Sequence, residues 1–443
     1  MLIVRIVTLV QTFPHTPMSL AQTELSSQKG SQKISRGKWM VLLAAFLGWM
    51  FDGLEMGIFP LIARPALIEM NPGLVGPELE KLIGMWNGRF NAFFLIGAAC
   101  GGLLFGWLGD RVGRVRAMAL SILTYSLFTG FAYFAATAWQ LAGLRYIAAL
   151  GMGGEWALGV ALVMEVWPTK HRPILAGVIG AAANVGFALI GIIAIQYPIK
   201  PESWRWVMLV GVVPALLTFV IRMFVPESER WKESVKETPS QPIREIISGG
   251  LIKTMLLAIA FASIALIATW GAVQWMAVWA DQMAGANEPR AKAYTHVLAA
   301  VGAIFGCLIG ALIGGKFGRR PAYFLLCLGS LISCSYLFRG VSEYGTTFLV
   351  MAFVVGAFTA SFYGWLPLYL PELFPTRVRA TAQGLAFNFG RILAAIGALQ
   401  MGSLMQKFDG SYAKAGATVV LVYIFGLFLI WLAPETKDKP LPE

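Results

Sequence analysis

Apolar residues run on in this chain for some twenty positions with hardly a break, as in YTHVLAAVGAIFGCLIGALIGG over 294–315. In a helix, roughly 20 such residues cross the hydrocarbon core of a bilayer. Membrane strands would instead alternate apolar and polar residues at every second position, so the pattern excludes a barrel. A composition of 57% hydrophobic and only 13% charged residues leaves no room for a large water-soluble domain among 443 residues.

Runs bounded by charges or Pro/Gly clusters place spans at 38–64, 83–108, 115–136, 139–165, 174–196, 203–225, 251–280, 294–315, 320–338, 346–369, 379–404 and 414–433. The only long polar connection, 226–250, divides them six and six, giving a bundle over 38–225, a cytoplasmic linker, a second bundle over 251–433 and a cytoplasmic tail over 434–443. The start, MLIVRIVTLVQTF, is too short for a span and lacks a small-residue cleavage site. It reads as part of a disordered cytoplasmic tail over 1–37; a start at Met18 is an alternative that N-terminal sequencing decides.

The net charge of +12 follows the positive-inside rule. With the N-terminus inside, Arg111, Arg114, Lys170, Lys316, Arg319 and Arg377 are cytoplasmic, as are both termini. No nucleic-acid partner is needed to explain the surplus. Cys100, Cys307, Cys327 and Cys334 lie inside apolar runs, so neither disulfides nor a metal site is expected.

The two halves repeat one another. GWLGDRVGRVR at Gly106 is echoed by GALIGGKFGRR at Gly310, EVWPTKHR at Glu165 by ELFPTRVR at Glu372, and PES at Pro226 by PET at Pro434, all in the same order. The same order at near-equal offsets means two parallel halves related by an axis along the membrane normal. The loop after span 2 sets a carboxylate and arginines beside glycines, a cluster able to clasp helix ends and to part when the halves rock. This set comprises Gly106, Asp110, Arg111, Gly113, Arg114, Glu165 and Arg172, with Gly318, Arg319, Glu372 and Arg379 in the second copy. Gly315 stands where the first copy has Asp110, so the latch should be stronger on the N-terminal side.

Those loops resemble the signature of the major facilitator superfamily, which joins helices 2 and 3 and helices 8 and 9. Within it, LRYIAALGMGGEWALGVALVMEVWP, VPESERW and LPELFPTRVRATAQG are similar to sugar and metabolite symporters, and GWMFDGLEMG to aromatic-acid and sialate proton symporters, with Glu55 at the second acid. The fifth-span signature of drug exporters is not evident over Gly177–Gln196. The resemblance implies an all-α membrane protein of twelve transmembrane helices in two pseudo-symmetric six-helix bundles, working by alternating access in the inner membrane as a monomer.

A charge at mid-bilayer costs several kcal/mol, so each one should face a cavity or a partner. Asp52 and Glu55 stand three apart on one helix face, where two acids withdrawn from water tend to share a proton. With Glu155 they are the proton-coupling candidates, and an external structural ion pair is the rival reading. Arg145, beyond which lie Gly151, Gly153 and Gly154, could hold a carboxylate or pair with Asp52 or Glu155. Arg391, one turn from Asn388, is the second cation for an anionic substrate. Arg89 is a third, about 10 Å from the outer end of its span. Trp270 and Gln274 supply a flat apolar face and an amide, whereas Trp279, near the span end, reads as an interfacial anchor. No nucleophile triad, phosphate loop or zinc spacing occurs. The chain is therefore expected to be no enzyme and to need no cofactor beyond a proton gradient, carrying protons with a sialate, sugar acid or aromatic acid as small-molecule substrate. A neutral-sugar symporter or facilitator is the alternative, and a transporter-like membrane sensor a more distant one.

Overall fold

The computed structural model describes residues 36–442, apart from 198, 238–241, 249, 285–287, 289–290 and 409–410. The tail over 1–35, Met18 included, lies outside the described residues. Every regular element among those described is helical.

The first half comprises α1 (Arg36–Met70), α2 (Gly76–Val112), α3 (Arg114–Phe131), α4 (Ala138–Val166), α5 (Arg172–Gln196) and a sixth span divided into α6 (Arg205–Val210) and α7 (Pro214–Phe224). The connection is not plain linker, since it contains α8 (Glu229–Glu237) and α9 (Pro242–Ser248). The second half begins with α10 (Ile252–Gly271) and α11 (Met276–Ala284), then α12 (Ala291–Phe317), α13 (Arg319–Gly340), α14 (Thr346–Ala360), α15 (Phe362–Leu373), α16 (Arg379–Lys407), α17 (Tyr412–Val419) and α18 (Val422–Leu429). Spans 6, 7, 10 and 12 are each made of two helices in line, giving twelve crossings.

Local chemistry sets the breaks. Thr137 and Gln140 form a reciprocal capping box that starts α4. Gly113 and Gly318 adopt φ of +110° and +101° in the turns from α2 to α3 and from α12 to α13, a region where a side chain is strained. This is why a glycine recurs at that point of both repeats.

Within each half, glycines let helices touch backbone to backbone. A Cβ at Gly101 or Gly153 would lie 1.9 Å from Leu150 O or Ala98 O, locking α2 to α4. Gly302, Gly306 and Gly356 do the same for α12 and α14, with distances of 2.1, 1.9 and 2.2 Å to carbonyl oxygens. Between the halves, α2 lies against α16 through Gly102, Gly106 and Gly384, and α5 against α12 and α15 through Gly177 and Gly180. These are symmetry-equivalent seams. Trp279 is no interfacial anchor: it is 5% exposed and stacks on Phe338 with ring centroids 5.6 Å apart.

Candidate functional site: a central cavity, a buried acid cluster and a latch

Between the halves lie two adjoining cavities that share Asn184, Phe187, Thr269, Gln274 and Tyr363. The second is walled by Trp49, Trp270 and Phe387 and contains Arg391, which is 3% exposed. Arg391 donates to Asn388 Oδ1 at 2.9 Å, and its guanidinium lies 5.0 Å from the Phe387 ring centre. Its Nε has no protein acceptor. Asn388, expected to meet substrate, lines neither cavity: its amide donates to Gly153 O at 2.8 Å and Gly384 O at 3.0 Å, so it ties α16 to α4 and aims Arg391. Trp270 and Gln274 line the cavity.

The three acids do not form one pair along α1. Glu55 Oε1 accepts from Arg145 at 2.5 Å and from Thr129 at 3.2 Å, with the Arg145 guanidinium 4.4 and 4.6 Å from the Phe59 and Phe94 ring centres. Asp52 instead meets Glu155 within hydrogen-bonding reach, with Arg391 and Glu55 its next charged neighbours. The two acids part because α4 offers different partners at different levels. Arg145 and Glu155 are ten residues apart, roughly 15 Å along a helix, and each acid of α1 takes the one at its own height. Glu155 sits where only glycine permits it, since a Cβ at Gly48 would lie 2.0 Å from its Oε1. None of the four carboxylate oxygens of Asp52 and Glu155 receives a protein hydrogen bond. One proton held between them would satisfy both.

At the end of the bundle carrying the repeated loops, Arg114 donates to Asp110 at 2.5 Å, Glu165 at 3.3 Å and Thr376 O at 2.7 Å. Asp110 accepts from Thr381 N at 2.8 Å and Thr381 Oγ1 at 2.6 Å, and Arg379 donates to Glu165 at 3.0 Å. These bonds join α2, α3 and α4 of one half to α16 of the other, and Gly106 makes room, since a Cβ there would lie 2.9 Å from Ala380 O. In the second copy Arg319 grips Glu372 with two bonds of 2.9 and 2.7 Å, inside its own half. Gly315 explains the asymmetry: a Cβ there would lie 2.6 Å from Pro173 Cγ, so no Asp fits.

The PES and PET acids act as remote helix caps. Glu227 accepts from Arg114 N and Val115 N at 3.0 and 3.1 Å, and Glu435 from Arg319 N and Arg320 N at 2.9 and 3.1 Å. The expected C-terminal tail is also docked. Thr436 donates to Glu372 at 2.6 Å, Leu441 is 3% exposed, and Pro442 O accepts from Thr376 N at 3.2 Å and Arg379 at 2.9 Å.

The family model described as Major Facilitator Superfamily matches residues 41–398. The chain belongs to the major facilitator superfamily. As a member it is a membrane transporter and not an enzyme. It is 28% identical to a cis,cis-muconate transport protein of Acinetobacter baylyi, over 85% of this chain and 90% of that one. It is 27% identical to a sialic acid transporter of Escherichia coli, over 88% and 92%. Among solved structures it resembles a proton:xylose symporter bound to 6-bromo-6-deoxy-D-glucose, with a TM-score of 0.73 and 17% identity over 91% and 98% of the chains. That likeness shows the fold.

Other expected residues of the transporter sit elsewhere. Arg145 lines a small separate cavity with Glu55 and Thr129. Arg89 packs over the rings of Trp86 and Trp139 at 4.9 and 5.3 Å, the latter 58% exposed, which puts it near the protein surface and away from the two central cavities. Arg111 is exposed and packs over Trp107 at 4.6 Å, beside the latch. Arg172 is buried in the latch layer, but its Nε and Nη1 have no acceptor. Thr381, Asn184 and Tyr363 carry no sequence signal, because single uncharged polar groups in apolar spans form no pattern.

Proposed function

We propose that this transporter carries a small organic anion together with a proton across the inner membrane, with the latched end and both termini facing the cytoplasm. The observation that supports it is Arg391: a buried guanidinium on the wall of a midway cavity, with the Asp52 carboxylate as its nearest opposing charge. While Asp52 is ionised it holds the Arg391 charge. A proton taken by the Asp52 and Glu155 pair releases that charge for a substrate carboxylate, so anion and proton move together and the loaded carrier crosses electroneutral. Moving a buried cation without this compensation would be costly, which is what couples the two.

The cavity walls favour a flat aromatic or unsaturated acid over a sugar acid. Trp49, Trp270, Phe187 and Phe387 offer ring faces, whereas the Thr269 hydroxyl already donates to Ala265 O at 2.9 Å. A polyol needs a partner for each hydroxyl it loses to the cavity. The muconate relative agrees with the first choice and the sialate relative with the second, and both carry a carboxylate.

The test is uptake into proteoliposomes under an imposed pH gradient, using labelled 4-hydroxybenzoate, cis,cis-muconate, sialate and xylose. Uptake of a carboxylate that collapses in Arg391→Gln is expected. Uptake of xylose alone would overturn the reading in favour of a neutral-sugar carrier, and unchanged carboxylate uptake in Arg391→Gln would overturn the role given to Arg391.

A further inference from the structure

Tyr125, on α3, belongs to neither the cavity nor the latch. It is fully buried, and its hydroxyl has no protein partner. Losing water without gaining a hydrogen bond is unfavourable, so a phenol kept in this state calls for an explanation. Its charged surroundings are Asp52, Glu155 and Glu55. The backbone fixes it there: a Cβ at Gly151 would lie 2.7 Å from Tyr125 N, and Ser121 donates to Gly151 O. Gly151 lies on α4 between Arg145 and Glu155, so Tyr125 stands at the level between the two acid sites. One turn further along α3, Thr129 donates to Glu55. The small cavity containing Glu55, Thr129, Arg145 and Met208 is lined by the first half alone.

We propose that Tyr125 is a proton relay joining Glu55 to the Asp52 and Glu155 pair, along a route inside the first bundle that bypasses the substrate cavity. The inference rests on the proton-coupling reading above. Glu55 Oε1 is held by Arg145, and Oε2, with no protein donor, is where a proton lands. That proton passes to the phenol oxygen as the phenol hydrogen leaves for Asp52 or Glu155, by way of a bridging water where the gap exceeds hydrogen-bond length. The phenol is neutral before and after; Glu55 returns to its carboxylate and the acid pair gains one proton. A route separate from the cavity lets the pair load while substrate occupies the Arg391 site.

The test uses the full chain in lipid nanodiscs, jumped from alkaline to mildly acidic pH, with the carboxylic-acid carbonyl band followed by time-resolved infrared absorption. The band is assigned by its loss in Asp52→Asn and Glu155→Gln. In Tyr125→Phe the same amplitude should grow about a hundredfold more slowly, the lower range for a positioned proton-transfer group, and Tyr125→His should recover part of the rate. Growth at the wild-type rate in Tyr125→Phe would overturn the relay while leaving coupling intact. A reduced amplitude at unchanged rate would overturn it too, by making Tyr125 a packing residue. Absence of any such band in the wild type would bring down the coupling reading itself and the relay with it.

Discussion

Asp110→Asn isolates what holds the latched end shut. Only contacts that form between the halves count, because those within a half persist when it moves as a body. The Asp110 bond to Arg114 lies inside the first half and drops out. What remains are the bonds from Thr381 N at 2.8 Å and Thr381 Oγ1 at 2.6 Å, with a long third from Ala380 N at 3.4 Å. Exchanging a carboxylate acceptor for an amide lowers each good bond by about 1 kcal/mol, the gap between charge-assisted and neutral hydrogen bonds. The two together give about 2 kcal/mol, which multiplies the ratio of open to latched molecules by about thirtyfold. Spin labels at Arg116→Cys on α3 and Arg377→Cys before α16, both at the surface beside the clasp and in opposite halves, would read that ratio by electron–electron double resonance. Cys100, the exposed cysteine, would be replaced by serine while the three buried ones stay. Glu435→Gln is the control, since its bonds to Arg319 N and Arg320 N lie inside one half. A distance distribution that does not change in Asp110→Asn, or that shifts equally in Glu435→Gln, would refute the argument.

Gly153→Val places a side chain 1.9 Å from Ala98 O and should lower the unfolding temperature in detergent by pushing α2 from α4, an overpacking cost of about 3 kcal/mol or more; Gly143→Val, with nothing within 4 Å, should not. Glu69 sits beyond the membrane-spanning part of α1. Burial pushes its carboxyl up, yet hydrogen bonds from Arg205 and Trp204 outweigh this and hold it below its usual 4.5. A depressed carboxyl stabilises the folded state above its unfolded value and stops doing so as pH falls through the folded one. Thermal melts should therefore weaken on acidification below the ordinary carboxylate range, and less so in Glu69→Gln; identical pH profiles would count against the sign.

Much of this architecture is legible in the sequence because a bilayer tolerates so few solutions. Long apolar runs, the duplicated Gly-Arg loops and the Pro-Glu-Ser and Pro-Glu-Thr echoes suffice for twelve spans in two related halves. The partners of buried charges are not legible. Spacing along α1 puts Asp52 and Glu55 on one face, but which cation or acid each meets depends on the height at which α4 packs, and that is set by Gly48, Gly151 and Gly153. Tyr125 looks like any aromatic residue of an apolar span. Trp279 misleads in the opposite sense, because closeness to a span end does not distinguish a lipid-facing ring from one stacked on Phe338. Pro442 has only a backbone carbonyl to offer, and no side-chain pattern announces it.

The missing side chain at Gly315 has a mechanical consequence. Two-fold pseudo-symmetry would permit a matching clasp on each side of the molecule, yet among the described residues the hydrogen-bonded ion pairs between the halves lie on the α2 and α16 side, while the α5 and α12 side meets through glycines and Pro173, with the buried Arg172 facing the charge of Glu372 but not hydrogen-bonded to it. A joint fastened along one edge and merely touching along the other turns like a door. On the proposed transport cycle the glycine edge is the hinge line, and the ionic edge swings through the longer arc. Opening such a joint breaks the hydrogen-bonded ion pairs of one edge per cycle instead of two.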